Sequence, residues 1–183
     1  MAQLTLVVGG VRSGKSRFAE GLAAATPPLT YLATALPGDA EMAARIAAHR
    51  ERRGPHWRTV EEPWDVAGAV AALLEPGAGQ AAPGGCILVE CLTLWVTNLL
   101  LGVPGHPGRE DGDILAEVDA LAPNARKGAA RVVVVSNEVG CGVIPANALA
   151  RRFGDLLGEA NQRVAAAAAE VYACVAGIPL RIK

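Results

Sequence analysis

Residues 9–16 read Gly-Gly-Val-Arg-Ser-Gly-Lys-Ser, directly after an apolar run and directly before a helix-period segment. The spacing Gly9-x-x-x-x-Gly14-Lys15-Ser16 is that of a phosphate-binding P-loop. The chemistry explains the spacing. Gly9 and Gly14 let the backbone wrap around a phosphate with several N–H groups pointing inward. A helix starting near Lys15 adds its positive dipole end. Lys15 is a mobile charge for β- and γ-phosphates, and the Ser16 hydroxyl suits Mg²⁺. The competing reading is a glycine-rich turn that merely joins a strand to a helix. Motif and context together outweigh it.

Such a site also needs an acid for the metal and its water shell, usually at the end of a second strand. Ile87-Leu88-Val89-Glu90 offers Glu90 in that place, and Val132–Ser136 followed by Asn137-Glu138 offers Glu138. Either is also readable as a solvated carboxylate at a strand end.

A second cluster lies at 41–58. On a helix, Met42, Ile46, His49 and Arg53 share one face, with Arg45 and Arg52 on a neighbouring stripe. Residues 45–58 hold five arginines and one acid, so the segment is a local anion site. Cations nearby favour a neutral, nucleophilic imidazole at His49. A half-buried histidine packed on Met42 and Ile46 is an equal alternative. His56, beside Trp57, reads as structural, and His106 reads as a solvated loop residue.

These groups need a scaffold. Short apolar runs at Leu4–Val8, Leu29–Ala33, Ile87–Glu90, Val132–Ser136 and Val171–Val175 read as strands, with Leu180–Ile182 as a last one after Gly177-Ile178-Pro179. Most are continuously apolar, as strands covered on both faces are. The intervening segments are long enough for crossover helices. The expected fold is therefore α/β, a P-loop NTPase-like three-layer arrangement around a mainly parallel central sheet. The clearest helix spans about 146–170, with Asn147 as N-cap and Leu149, Phe153, Leu156, Leu157, Ala160 and Val164 on one face. Glu75–Gly85 and Gly102–Asp113 read as loops.

The 183 residues fit one domain, spanning 1–183, and 51% are hydrophobic. The net charge of −1 gives no global pull toward nucleic acid or anionic membrane. The longest apolar stretch, Leu92–Val103, is too short to span a bilayer, so no stable membrane insertion is expected. Cys86, Cys91, Cys141 and Cys174 form no Cys-x-x-Cys pair, and Cys86 and Cys174 sit in apolar runs. With no signal-peptide pattern, a cytoplasmic protein is expected.

Taken together, these motifs resemble the bifunctional adenosylcobinamide kinase / adenosylcobinamide-phosphate guanylyltransferase family of cobalamin biosynthesis. The resemblance covers almost the whole chain. It rests on the P-loop, Tyr31–Ala35, Glu41–His49, His56–Pro63, Leu88–Thr93, Val96–Leu100, Ser136–Gly140 and Asn161-Gln162. The P-loop alone is shared by many families. Its combination with Ala44-Arg45-x-x-x-His49 and Asn137-Glu138-Val139-Gly140 is far more specific.

The resemblance implies two steps. The aminopropanol hydroxyl of adenosylcobinamide is phosphorylated by ATP or GTP. GTP then donates GMP to that phosphate. It also implies that His49 carries the GMP as a phosphoramidate. Nucleotide contacts would fall on Gly9, Gly10, Val11, Arg12, Ser13, Gly14, Lys15 and Ser16, on Ala33, Thr34 and Ala35, on Arg50, Glu51, Arg52 and Arg53, and on Glu61 and Glu90. Ser16 and Glu90 would serve Mg²⁺, Glu90 having nucleotide contact as its other possible task. A homo-oligomer, a trimer, is implied as well. Gly154 stands where the family pattern has an arginine, and Ala169 where it has an acid. Two other readings stay open: a plain small-molecule kinase with a structural His49, and a nucleotide-dependent switch. The lack of a guanine-reading Asn-Lys-x-Asp motif lowers the second.

Overall fold

The computed structural model describes residues 3–75 and 85–183. Most of the expected 75–85 loop, residues 76–84, lies outside the described residues, as do the side chains of Met42, Arg45 and Arg52. In chain order the elements are β1 (Leu4–Gly9), α1 (Lys15–Ala24), β2 (Leu29–Ala33), α2 (Ala40–Arg53), β3 (Trp57–Glu61), α3 (Val66–Leu74), β4 (Cys86–Glu90), α4 (Leu92–Leu101), β5 (Gly102–Val103), β6 (His106–Pro107), α5 (Asp111–Ala125), β7 (Arg131–Asn137), α6 (Ala148–Ala167), β8 (Glu170–Val175) and β9 (Ile178–Arg181).

Seven strands form one sheet in the order β3-β2-β4-β7-β1-β8-β9. All pairs are parallel except β8 with β9. The apolar runs explain the burial. In β4 and β7, successive side chains serve opposite faces, and both faces are covered. Ile87, Val89, Val132 and Val134 pack toward Val66, Leu92, Trp95, Ile114 and Leu157. Cys86, Leu88, Val133 and Val135 pack with Ala19 and Ala23 of α1. A strand with no wet face has no reason to alternate polar and apolar residues.

The differences from the sequence reading have local causes. β3 was not foreseen, because it is an edge strand whose five residues are all partly or fully exposed. Gly102–Asp113 is not wholly loop. Gly102 and Val103 pair with Pro107 and His106 in a short antiparallel hairpin, and Asp111 opens α5. Acidic Asp111 and Asp113 in the first turn suit the positive helix end. In α6, Asn147 does cap the helix, its side chain accepting from Ala150 N–H at 3.1 Å. Leu156, Leu157, Ala160 and Val164 are buried and Phe153 is partly so, but Leu149 is exposed. Leu149 instead lines a surface cavity with Leu100, Leu101 and Phe153. Among the described residues no helix is long and apolar enough to cross a membrane.

Candidate nucleotide site

The P-loop leaves the carboxyl end of β1 at Gly9. Two backbone positions need unusual freedom. A Cβ at Gly9 would stand 2.6 Å from the Cys174 carbonyl oxygen, and Gly14 has φ of 89°. The Gly14 cap supplies no side-chain hydrogen bond to the first turn of α1. Those N–H groups therefore remain for an anion. Within the loop, Lys15 Nζ donates to Gly10 O at 3.1 Å, which lays the ammonium across the cradle.

The register of the sheet decides which acid faces the loop. β4 and β1 both flank β7, with Glu90 and Val7 each paired to Val135. This brings Glu90 beside α1, and Ser16 Oγ donates to Glu90 Oε1 at 2.6 Å. Glu138 is exposed, and its carboxylate accepts from the Gly140 N–H at 2.8 Å in its own loop. Ser16 and Glu90 thus form an all-oxygen pair at the phosphate cradle. That donor set fits Mg²⁺, which is commonly held by one or two carboxylates together with substrate phosphates.

The row of candidate residues continues along the same edge. Ala33 pairs with Glu90 on one side and with Glu61 on the other. Thr34 is buried, and its hydroxyl is engaged by the scaffold. Its hydroxyl donates to Cys91 O at 2.9 Å and accepts from Cys91 N–H at 2.7 Å, tying the end of β2 to that of β4. Ala35 follows, half-buried. Asn98 Nδ2 donates to Thr34 O and to Pro63 O, both at 2.9 Å. Thr93 Oγ1 accepts from Asn137 N–H at 2.7 Å, and Asn161 Nδ2 donates to Asn137 O at 3.0 Å. Thr93, Asn98 and Asn161 were not assigned roles from sequence. Their signal was a polar residue inside an otherwise apolar, helix-period segment.

α2 carries the arginine cluster. Arg50 pairs with Glu61, so these two candidates meet, while Glu51 is exposed. The Arg53 guanidinium lies over the Tyr31 ring, 3.2 Å from its centroid. Trp57 meets the same ring edge-on at 6.2 Å. Burial, and then the Glu90 charge, push the Tyr31 hydroxyl well above its ordinary value, so it stays neutral. His49 is half-buried, one turn before Arg53 on the same helical stripe. His56 is exposed rather than packed; Trp57 does the packing. His106 is exposed but not simply solvated, since it stacks on Trp64 at 4.8 Å.

The Cys86 and Cys91 thiols are unsuited to nucleophilic work. Burial pushes Cys91 and Cys86 up to about 11. Cys86, Cys91 and Cys174 are buried, as the apolar runs implied for the first and last, and only Cys141 is exposed.

The match to known sequences decides the family. The family model described as cobinamide kinase / cobinamide phosphate guanyltransferase matches residues 5–182. The chain belongs to this family. It is a bifunctional transferase of cobalamin biosynthesis, as the family's two activities require. It is 46% identical to a bifunctional adenosylcobalamin biosynthesis protein, CobP, of Pseudomonas aeruginosa, over 97% of this chain and 96% of that one. It is 44% identical to the CobU protein of Salmonella typhimurium, over 98% of this chain and 99% of that one. Solved structures share the fold at low identity. A KaiC-like protein of Pyrococcus horikoshii aligns with a TM-score of 0.52 at 14% identity, over 93% of this chain and 70% of that one. A type III secretion ATPase aligns with 0.53 at 13% identity, over 93% of this chain and 50% of that one. Against this family background, the P-loop with Glu90 and the arginine helix with His49 are two separate concentrations of chemistry, the helix meeting the sheet through Arg50 on Glu61 and Arg53 on Tyr31.

Proposed function

We propose that this member of the cobinamide kinase / guanyltransferase family phosphorylates the aminopropanol hydroxyl of adenosylcobinamide with ATP or GTP. It then transfers GMP from GTP to that phosphate, giving adenosyl-GDP-cobinamide and pyrophosphate. The observation that carries the kinase half is the 2.6 Å hydrogen bond from Ser16 to Glu90 at the mouth of the P-loop. It unites the two oxygen donors that a nucleotide-bound Mg²⁺ requires, and the ion supplies charge neutralisation at the phosphates. The backbone of Gly9–Ser16 binds the phosphates, and Lys15 holds their β- and γ-oxygens in line with the acceptor hydroxyl.

For the second half, His49 is the nucleophile. A ring nitrogen attacks the α-phosphorus of GTP, the phosphorus–nitrogen bond forms, and the α–β bridging bond breaks to release pyrophosphate. A phosphate oxygen of adenosylcobinamide phosphate then attacks the same phosphorus, a phosphorus–oxygen bond forms, and the phosphorus–nitrogen bond breaks to restore neutral imidazole. Neutral imidazole suits this because it attacks without first losing a proton. Arg50, Arg52 and Arg53, with Arg45, are the cations that offset charge at the α-phosphate. Ala33–Ala35, Glu51 and Glu61 border the nucleotide along the same edge. Residues 1–183 act as one kinase/guanylyltransferase domain, cytoplasmic and assembled as a homo-oligomer, a trimer.

The test is incubation with adenosylcobinamide, GTP and Mg²⁺, followed by mass spectrometry of the corrinoid. The expected products are the phosphate and then the GDP-linked corrinoid. A corrinoid that leaves unmodified contradicts the proposal.

A further inference from the structure

The turn that joins β8 to β9 rests on the phosphate cradle. Gly177 N–H donates to Ser13 O at 2.9 Å. A Cβ placed on Gly14 would come within 3.0 Å of Gly177 Cα, so the two backbones touch. β8 also backs the start of the loop, with Gly9 paired to Cys174. Val175 pairs with Ile178, leaving Ala176 and Gly177 as a two-residue turn. Both have positive φ, 51° and 84°, as the primed hairpin turns require. All four residues of β9 are exposed, so little core rests on this strand, whereas β8 contributes Val171 and Cys174 to the core.

The geometry has a consequence for the cradle. In a planar trans peptide the C=O and the following N–H point to opposite sides. Pinning Ser13 O to Gly177 therefore aims the Gly14 N–H away from the hairpin and into the loop. We propose that Gly177 is a positioning residue for the phosphate site: without touching the nucleotide, the β8–β9 turn fixes the Ser13–Gly14 peptide in its phosphate-binding orientation. This rests on Gly9–Ser16 being the phosphate cradle.

The test exploits open space around Gly177. No atom lies within 4 Å of a Cβ built there, so a side chain acts through backbone conformation rather than collision. Asparagine tolerates positive φ, whereas a β-branched residue there is an outlier. Binding of a fluorescent GTP analogue is measured without corrinoid, alongside the unfolding temperature. Gly177→Val should weaken binding about tenfold, with Gly177→Asn within about twofold of the parent and both melting close to it. Ala176→Val, one residue further from the cradle, is the milder second variant should Gly177→Val not fold, and should weaken binding about threefold. Parent-like binding by a folded Gly177→Val or Ala176→Val protein overturns the proposal. So does equal loss in Gly177→Asn and Gly177→Val. A parent protein that binds no GTP removes the phosphate-cradle reading as well, whereas normal binding without corrinoid turnover leaves the positioning role standing and removes only the reaction.

Discussion

Ser16 and Glu90 lie 74 positions apart and are joined by a 2.6 Å hydrogen bond. The first residue of each partner's setting is plain in sequence: a P-loop serine and a carboxylate closing an apolar strand. Their meeting depends on β4 and β1 both flanking β7. Glu90→Gln keeps an acceptor for the Ser16 hydroxyl but removes the charge. Phosphoryl transfer should fall about 10²-fold or more, the scale of losing one electrostatic stabiliser. The Mg²⁺ concentration for half-maximal activity should rise. Glu138→Gln should stay within about threefold of the parent, because its carboxylate serves its own loop. Steady-state kinetics over a Mg²⁺ series checks both, and equal losses would remove the assignment of Glu90.

Thr34 offers a test of the scaffold. Thr34→Val leaves the buried Cys91 N–H without its acceptor, while the Cys91 carbonyl keeps the Trp95 N–H as a donor. An orphaned buried group costs about 1–3 kcal/mol. At roughly 2–4 °C per kcal/mol for a chain of this size, calorimetry should register a clear fall in melting temperature. Thr34→Ser keeps both bonds and should melt within about 2 °C of the parent.

The hidden parts of the molecule share a physical reason. β4 and β7 were legible because strands buried on both faces are apolar without a break. β3 was not, because only Trp57 and Val60 are partly buried and the strand pairs with a single neighbour, β2. The opening of α5 was masked by Gly112 and by acids that also suit a loop. Within the site, the P-loop was legible since its function resides in local spacing. Glu90 was preferred to Glu138 from sequence, but its bond to Ser16 was not legible, since strand register brings the two together. Nor were the bonds from Asn98 to Thr34 and Pro63, which connect residues 64 and 35 positions apart.

Alkaline stability should follow the buried thiols. Cys86 and Cys91 are raised from 9.0 to about 11 by burial, and Tyr31 is raised above 10.0. Below pH 9 the thiols are neutral in both folded and unfolded chains, so they contribute no slope. Between pH 9 and 11 the unfolded chain releases protons that the folded chain keeps, and stability falls as pH rises. Melting temperatures from pH 8 to 11 should decline, and Cys91→Ala should flatten the decline. A slope unchanged by that substitution would contradict the assignment.

The account's central claim is that one chain runs phosphoryl transfer at the P-loop and guanylyl transfer through His49. It is tested most directly by incubating the parent, His49→Ala and His56→Ala with α-labelled GTP and Mg²⁺, quenching in denaturant and mapping the label. The account predicts an acid-labile, alkali-stable adduct on His49 in the parent and in His56→Ala. It predicts none in His49→Ala, which should still phosphorylate adenosylcobinamide. Label on the His49→Ala protein, or label in the parent found only at another residue, would contradict it.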